Sequence, residues 1–177
     1  MPKVNRQKID AFKKGRVTLA EVFAIDSKQI AALLMTGYLL YEAQRYQQAK
    51  GIFEGFLVLD PRNSYVHGIL GSIYQKEGKY AAAVDRYTVA LALSPDDINS
   101  LSNRGEIFLR MGKFSEAATD LFHAIKLDSA GKHPAANRAR MLVALTQEVL
   151  KMAKENGVES VLQATKKIDQ QFSSNRG

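Results

Sequence analysis

Shifted by 34 residues, the chain falls on itself. Gly37, Gly71 and Gly105 come into line, as do Ala49, Ala83 and Ala117, and Phe53, Tyr87 and Leu121. The aromatics Tyr46, Tyr80 and Phe114 recur in the same phase, and Pro61, Pro95 and Ser129 close the three copies. Such a period is one supersecondary unit that cannot bury its apolar face alone, so successive copies must stack. The middle copy, GILGSIYQKEGKYAAAVDRYTVALALSP over residues 68–95, reads as two helices separated by a glycine turn.

Glycine inside a helix costs about 1 kcal/mol relative to alanine, so Gly71 needs a packing reason. Two antiparallel helices whose apolar stripes interlock must approach closely, and Gly71 and Ala83 are the small residues at that approach. Tyr74 and Tyr87 are expected to fill the space between successive units. Gly78 and Gly112 supply the turn between helices, with Arg45 in their place in the first copy, and Pro95 stops the second helix.

Period and skeleton resemble the tetratricopeptide repeat, a helix–turn–helix unit, over residues 30–129. The expected fold is all-α, an α-solenoid of three such units in a single domain spanning residues 1–177. An N-terminal helical segment (1–29) carries short helices at 8–14 and 19–23, parted by Gly15. The repeats occupy 30–63, 64–97 and 98–131, and capping helices occupy 132–172. Of these, one runs over 134–154 from Pro134, with apolar Ala135, Ala139, Leu142, Leu145, Val149 and Met152 at helical spacing. Asn156-Gly157 breaks it before a second at 158–172.

Composition removes several functions. The absence of cysteine excludes disulfides, thiolate catalysis and cysteine-bound metal. No apolar run reaches the roughly 20 residues of a membrane span and none has the form of a signal peptide, so a cytoplasmic protein is expected. The net charge of +7 is uneven: +5 over residues 1–16, −2 over 17–130 and +4 over 131–177. The basic residues therefore sit at the ends, which argues for solvated tails against a groove for nucleic acid or an anionic membrane. His67, His123 and His133 lack partners at metal-ligand spacing. Asp96-Asp97 reads as a helix cap, Ser72 and Ser102 have no base in a recognisable motif, and the lysines of GKYAAAV and GKFSEAA are loop residues. No catalytic residue, metal site or cofactor is expected.

In stacked repeats the first helices line the inner surface. Their phase points Leu34, Tyr38 and Tyr41 inward from the first unit, and Tyr65, Ile69, Ser72 and Gln75 from the second. From the third come Asn99, Asn103, Glu106 and Leu109, with Arg110 at the rim. Repeat proteins that bind acidic chaperone tails place Lys, Arg and Asn here; this chain has Leu34, Tyr38 and Ile69 instead. An aromatic, apolar end and an amide-rich end suit an extended peptide held by pockets and backbone hydrogen bonds.

The segment GRVTLAEVFAI (15–25), with Gly15, Thr18, Leu19, Glu21, Ala24 and Ile25, resembles the approach to the repeats in class II type III secretion chaperones. Ala49, Ile52-Phe53 and Phe56–Asp60 resemble that family's first B helix, and Tyr38 and Tyr41 fall on its groove tyrosines. The resemblance implies a non-enzymatic bacterial cytoplasmic chaperone. It would hold a hydrophobic secreted translocator through an extended segment with proline and leucine anchors. It also implies homodimers through N-terminal helices, and for some members transcriptional regulation through a partner. The alternative function is a general repeat scaffold for another protein.

Overall fold

A computed structural model describes residues 6–156, and the helix expected at 158–172 lies outside the described residues. Among those described, every regular element is an α-helix. The chain divides into two compact units, Met1–Ser100 and Leu101–Gly177.

In the first unit α1 (Arg6–Lys13) and α2 (Leu19–Val22) are the short helices expected there, with Gly15 between them at φ +66°. Thr18 starts α2 through a reciprocal cap: its amide donates to Glu21 at 2.6 Å, and its hydroxyl accepts from the Glu21 amide at 3.3 Å. Two hairpins follow, α3 (Ser27–Glu42) with α4 (Tyr46–Leu59) and α5 (Ser64–Lys76) with α6 (Tyr80–Leu93). Their core joins Phe53, Phe56, Val66, Leu70 and Ile73, with Leu34, Tyr41 and Ile69 packed at its margin. Phe56 stands where the later copies have Ala90 and Ala124. There it lines a cleft of about 310 Å³ with Thr18, Ala20, Ile25 and Ile30, so the larger ring meets the N-terminal segment.

The repeated glycines meet the repeated bulky residues of their own hairpins. A Cβ on Gly71 would lie 2.7 Å from the Tyr87 ring, and one on Gly37 2.8 Å from the Phe53 ring. Tyr87 thus packs against the glycine of its own hairpin. It lies fully buried inside the α5/α6 hairpin, its hydroxyl donating to Gln75 Oε1 at 2.9 Å. Tyr74 does bridge the hairpins: its hydroxyl donates to Glu54 of α4 at 3.2 Å, and Lys50 lies over its ring. A correction concerns the first turn. Gly78 and Gly112 take φ of +74° and +70°, and the matching residue is Gln44 at +57°, not Arg45. The 34-residue shift carries Gly78 onto Gln44, and the left-handed backbone follows that register rather than the side chain.

α7 (Ile98–Arg110) begins in the first unit, where Asp97 Oδ2 accepts from the Ser100 amide at 3.1 Å as the expected cap. The second unit holds the rest of α7 with α8 (Phe114–Leu127) and α9 (Pro134–Asn156). Gly105 packs against Leu121, where a Cβ would come within 2.8 Å. Beside it Arg104 grips Asp120 with two hydrogen bonds, of 2.7 and 2.8 Å. Pro134 opens α9 as expected, and Ala135, Ala139 and Leu142 are buried. Asp128 holds the entry, accepting from the Lys132 and His133 amides at 3.1 and 2.8 Å. The repeat register extends into this helix, because Ala139 lies 34 residues after Gly105.

Candidate functional site

On the first unit, α3 and α5 gather the tyrosines. Tyr38 is 40% and Tyr65 52% exposed, so neither ring is spent on the core. Tyr41 is half-buried beside both Tyr38 and Tyr46, with ring centroids 6.5 and 5.8 Å away. Its hydroxyl shares a hydrogen bond of 3.0 Å with Ser72 Oγ, tying α3 to α5. A hydrogen bond to the Glu42 carboxylate holds the Tyr38 phenol above its usual range. Burial first, then the nearby Tyr38 and Glu42, raise that of Tyr65. The Tyr38 and Tyr65 phenols are therefore neutral at physiological pH, presenting apolar ring faces with a polar tip.

The other expected groove residues of this unit are placed less openly. Leu34 and Ile69 are half-buried against the core. Gln75 is half-buried and accepts from Tyr87. Asn99 is exposed.

On the second unit, α7 brings Asn103, Glu106, Leu109 and Arg110 to half-buried positions. Asn103 Oδ1 accepts a hydrogen bond from Arg138 of α9. Glu106 lies between two guanidinium groups, 3.5 Å from Arg110 Nη2 and 3.6 Å from Arg138 Nε. Arg138 is the residue that reading three repeats alone misses. The signal for it is the same 34-residue shift carried one copy further, which makes α9 a fourth first helix and aligns Arg138 with Arg104.

Other polar groups serve the scaffold. His67 is buried with Nε2 3.0 Å from the Pro61 carbonyl oxygen. Ser102 Oγ donates to the Ala135 carbonyl at 2.9 Å, and His133 Nδ1 accepts from the Ala135 amide at 3.2 Å. Among the described residues no group of three or more acidic, histidine or cysteine side chains could hold a metal ion. Nor is any described helix long and apolar enough to cross a membrane.

Comparison with known proteins agrees with this architecture. Two tetratricopeptide-repeat family models match residues 34–98 and 70–144. The chain is 26% identical over 153 residues to low calcium response locus protein H of Yersinia pseudotuberculosis, covering 86% of this chain and 90% of that protein. It is similar to the type III secretion translocator chaperone SycD of Yersinia enterocolitica, with TM-score 0.65 and 25% identity over 72% of this chain and 97% of that one. SycD solved with a peptide of the translocator YopD gives TM-score 0.62 and 25% identity, over 73% and 98% of the two chains. A type III secretion complex from Aeromonas hydrophila shares the fold at TM-score 0.72 and 23% identity, over 83% and 99%. The chain belongs to the tetratricopeptide-repeat proteins and, over most of its length, resembles the class II translocator chaperones of type III secretion.

Proposed function

We propose that this protein is a non-enzymatic bacterial chaperone that keeps a hydrophobic type III secretion translocator soluble in the cytoplasm. It grips an extended segment of that partner carrying proline and leucine anchors. The observation that carries the reading is the tyrosine group of the first unit: Tyr38 and Tyr65 stay at the surface while Tyr41 is tied to Ser72. Aromatic faces on rigid helices suit proline rings and leucine side chains at small entropic cost, and phenol tips supply hydrogen bonds to the peptide backbone. Support also comes from SycD, which has been solved with a translocator peptide and as a dimer. Residues proposed for the peptide are Leu34, Tyr38, Tyr41, Tyr65, Ile69, Ser72, Gln75 and Asn99 of the first unit, and Asn103, Glu106 and Leu109 of the second.

The test is a pull-down from the native bacterium with the wild type and a Tyr38→Ala/Tyr41→Ala variant, compared by mass spectrometry. A hydrophobic secreted protein recovered by the wild type and lost from the folded variant is the expected result. A soluble partner retained by both would overturn the reading and move function to another surface.

A further inference from the structure

In the first unit α3 ends on Glu42, an acidic residue at a helix end whose carbonyl dipoles favour a cation. The 34-residue shift places Lys76 and Arg110 at the matching ends of α5 and α7, so the first copy inverts the sign. Glu42 is exposed and stands one turn from Tyr38, on the same face of the helix. Tyrosines from three helices gather there: Tyr38 and Tyr41 of α3, Tyr46 of α4 and Tyr65 of α5. The rings of Tyr38, Tyr41 and Tyr46 follow one another with centroids 6.5 and 5.8 Å apart. The Glu42 charge is felt across the group. Its hydrogen bond is the first cause raising the Tyr38 phenol, and after burial and a neighbouring tyrosine it also raises those of Tyr46 and Tyr65. Among the described residues no lysine or arginine pairs with Glu42 or lies over any of these four rings. Lys50 and Lys79 are engaged elsewhere, the first over the Tyr74 ring at 5.5 Å and the second on Glu77 at 2.8 Å. A carboxylate and the negative faces of aromatic rings thus collect at one place on a chain whose net charge is +7.

We infer that Glu42 and the tyrosines around it form a cation subsite that receives a lysine or arginine side chain of the bound segment. This deepens the peptide-chaperone reading and rests on it. The apolar stem of such a side chain lies along the exposed Tyr38 and Tyr65 rings, while its charged head meets ring faces and the Glu42 carboxylate. A proline or leucine uses the ring faces alone and leaves the carboxylate without a partner. Glu42 therefore adds selection for charge to a surface that otherwise selects for shape. The same role accounts for its unfavourable place at a helix end: a base there, as on α5 and α7, would repel the partner's cation.

The experiment uses the full chain and a scanning library of decapeptides with fixed proline and leucine anchors, acetylated and amidated at their ends so that only side chains carry charge. Lysine, acetyl-lysine, arginine or glutamine is placed in turn at each remaining position, and affinities are read by fluorescence anisotropy. At one position the wild type should prefer lysine over acetyl-lysine, or arginine over glutamine, by roughly three- to thirtyfold, the range for a cation on an aromatic face. That ratio should shrink in Glu42→Gln, where the rings remain, and fall to about one or below in Glu42→Lys, with folding of each checked by circular dichroism. Affinity for the acetyl-lysine and glutamine peptides should change little in either variant, which separates charge selection from a merely structural role. A wild type that binds the library with no preference for either cation overturns the inference alone. So does a preference of the same size at every position, or one that survives unchanged in folded Glu42→Lys. Should that variant fail to fold, an unchanged ratio in Glu42→Gln overturns it instead. A wild type that binds no member of the library overturns the peptide reading and this inference with it.

Discussion

The α5/α6 and α7/α8 hairpins share one register but are closed by different forces. At equivalent positions the first buries Leu70 and the second places Arg104 against Asp120. Opposite the repeat glycine the first has Tyr87, pinned by Gln75, and the second has Leu121, which carries no polar tip. One backbone template thus tolerates apolar or ionic closure, but the tolerances differ. An apolar contact loses energy in proportion to the volume removed. A buried ion pair fails abruptly when one partner goes, because the other charge is left in low dielectric.

The comparison breaks most sharply at Arg104. Arg104→Ala should destabilise the protein by about 3–5 kcal/mol by leaving Asp120 buried and unpaired. A double variant Arg104→Met/Asp120→Leu should recover much of that loss. Urea unfolding of the three proteins measures both effects.

Gly71→Ala should cost about 1–3 kcal/mol, since the new methyl would meet a Tyr87 ring that cannot turn away without losing Gln75. Gly105→Ala should fall at the lower end, because Leu121 can change rotamer. Equal losses at the two sites, read from thermal melts, would erase the distinction between a pinned ring and a free branched side chain.

A glycine pair on α4 should behave in the opposite sense. A Cβ on Gly51 or Gly55 would meet nothing within 4 Å, so alanine at each should stabilise by about 0.5–1 kcal/mol through helix propensity alone. Destabilisation in the same melts would reveal a contact at that face.

The smallest effect concerns Asp128. The His133 amide, followed by that of Lys132 and by Arg140, holds this carboxyl below its usual range. Its folded pKa is depressed, so its stabilisation is present above the unfolded carboxylate value and is lost as pH falls through the folded one. Melting temperatures of the wild type and Asp128→Asn should differ at neutral pH and converge on acidification. A gap that stays constant down to low pH would assign the effect to helix-entry geometry rather than charge.

Much of this was legible before any coordinates. Gly37, Gly71 and Gly105 announced close helix contacts because glycine inside a helix is costly, and their aligned bulky partners could be read from the same shift. Pro134 and the spacing of Ala135, Ala139 and Leu142 announced α9. Gln44 was missed as the turn residue because a glutamine gives no sign of a left-handed backbone, which at this place follows from the register of the two helices. The pairing of the Tyr87 hydroxyl with Gln75 was not legible, because a helical phase places a ring but does not choose the partner of its polar tip. Arg138 gives no sign of its role in the sequence because its partners Glu106 and Asn103 lie 32 and 35 residues away on α7, while Arg138 itself stands on α9, beyond the third repeat.

The sequence by itself determined the helical hairpins, their 34-residue period and the absence of thiol chemistry, since these rest on local propensity, periodic apolar spacing and residue identity. Only the tertiary structure decided which polar groups were already spent. Gln75, Ser72 and Ser102 are engaged within the fold, while Tyr38 and Tyr65 stay exposed. Hydrogen bonds and ion pairs act over about 3 Å, so a side chain's availability depends on neighbours distant in sequence that folding brings within that range.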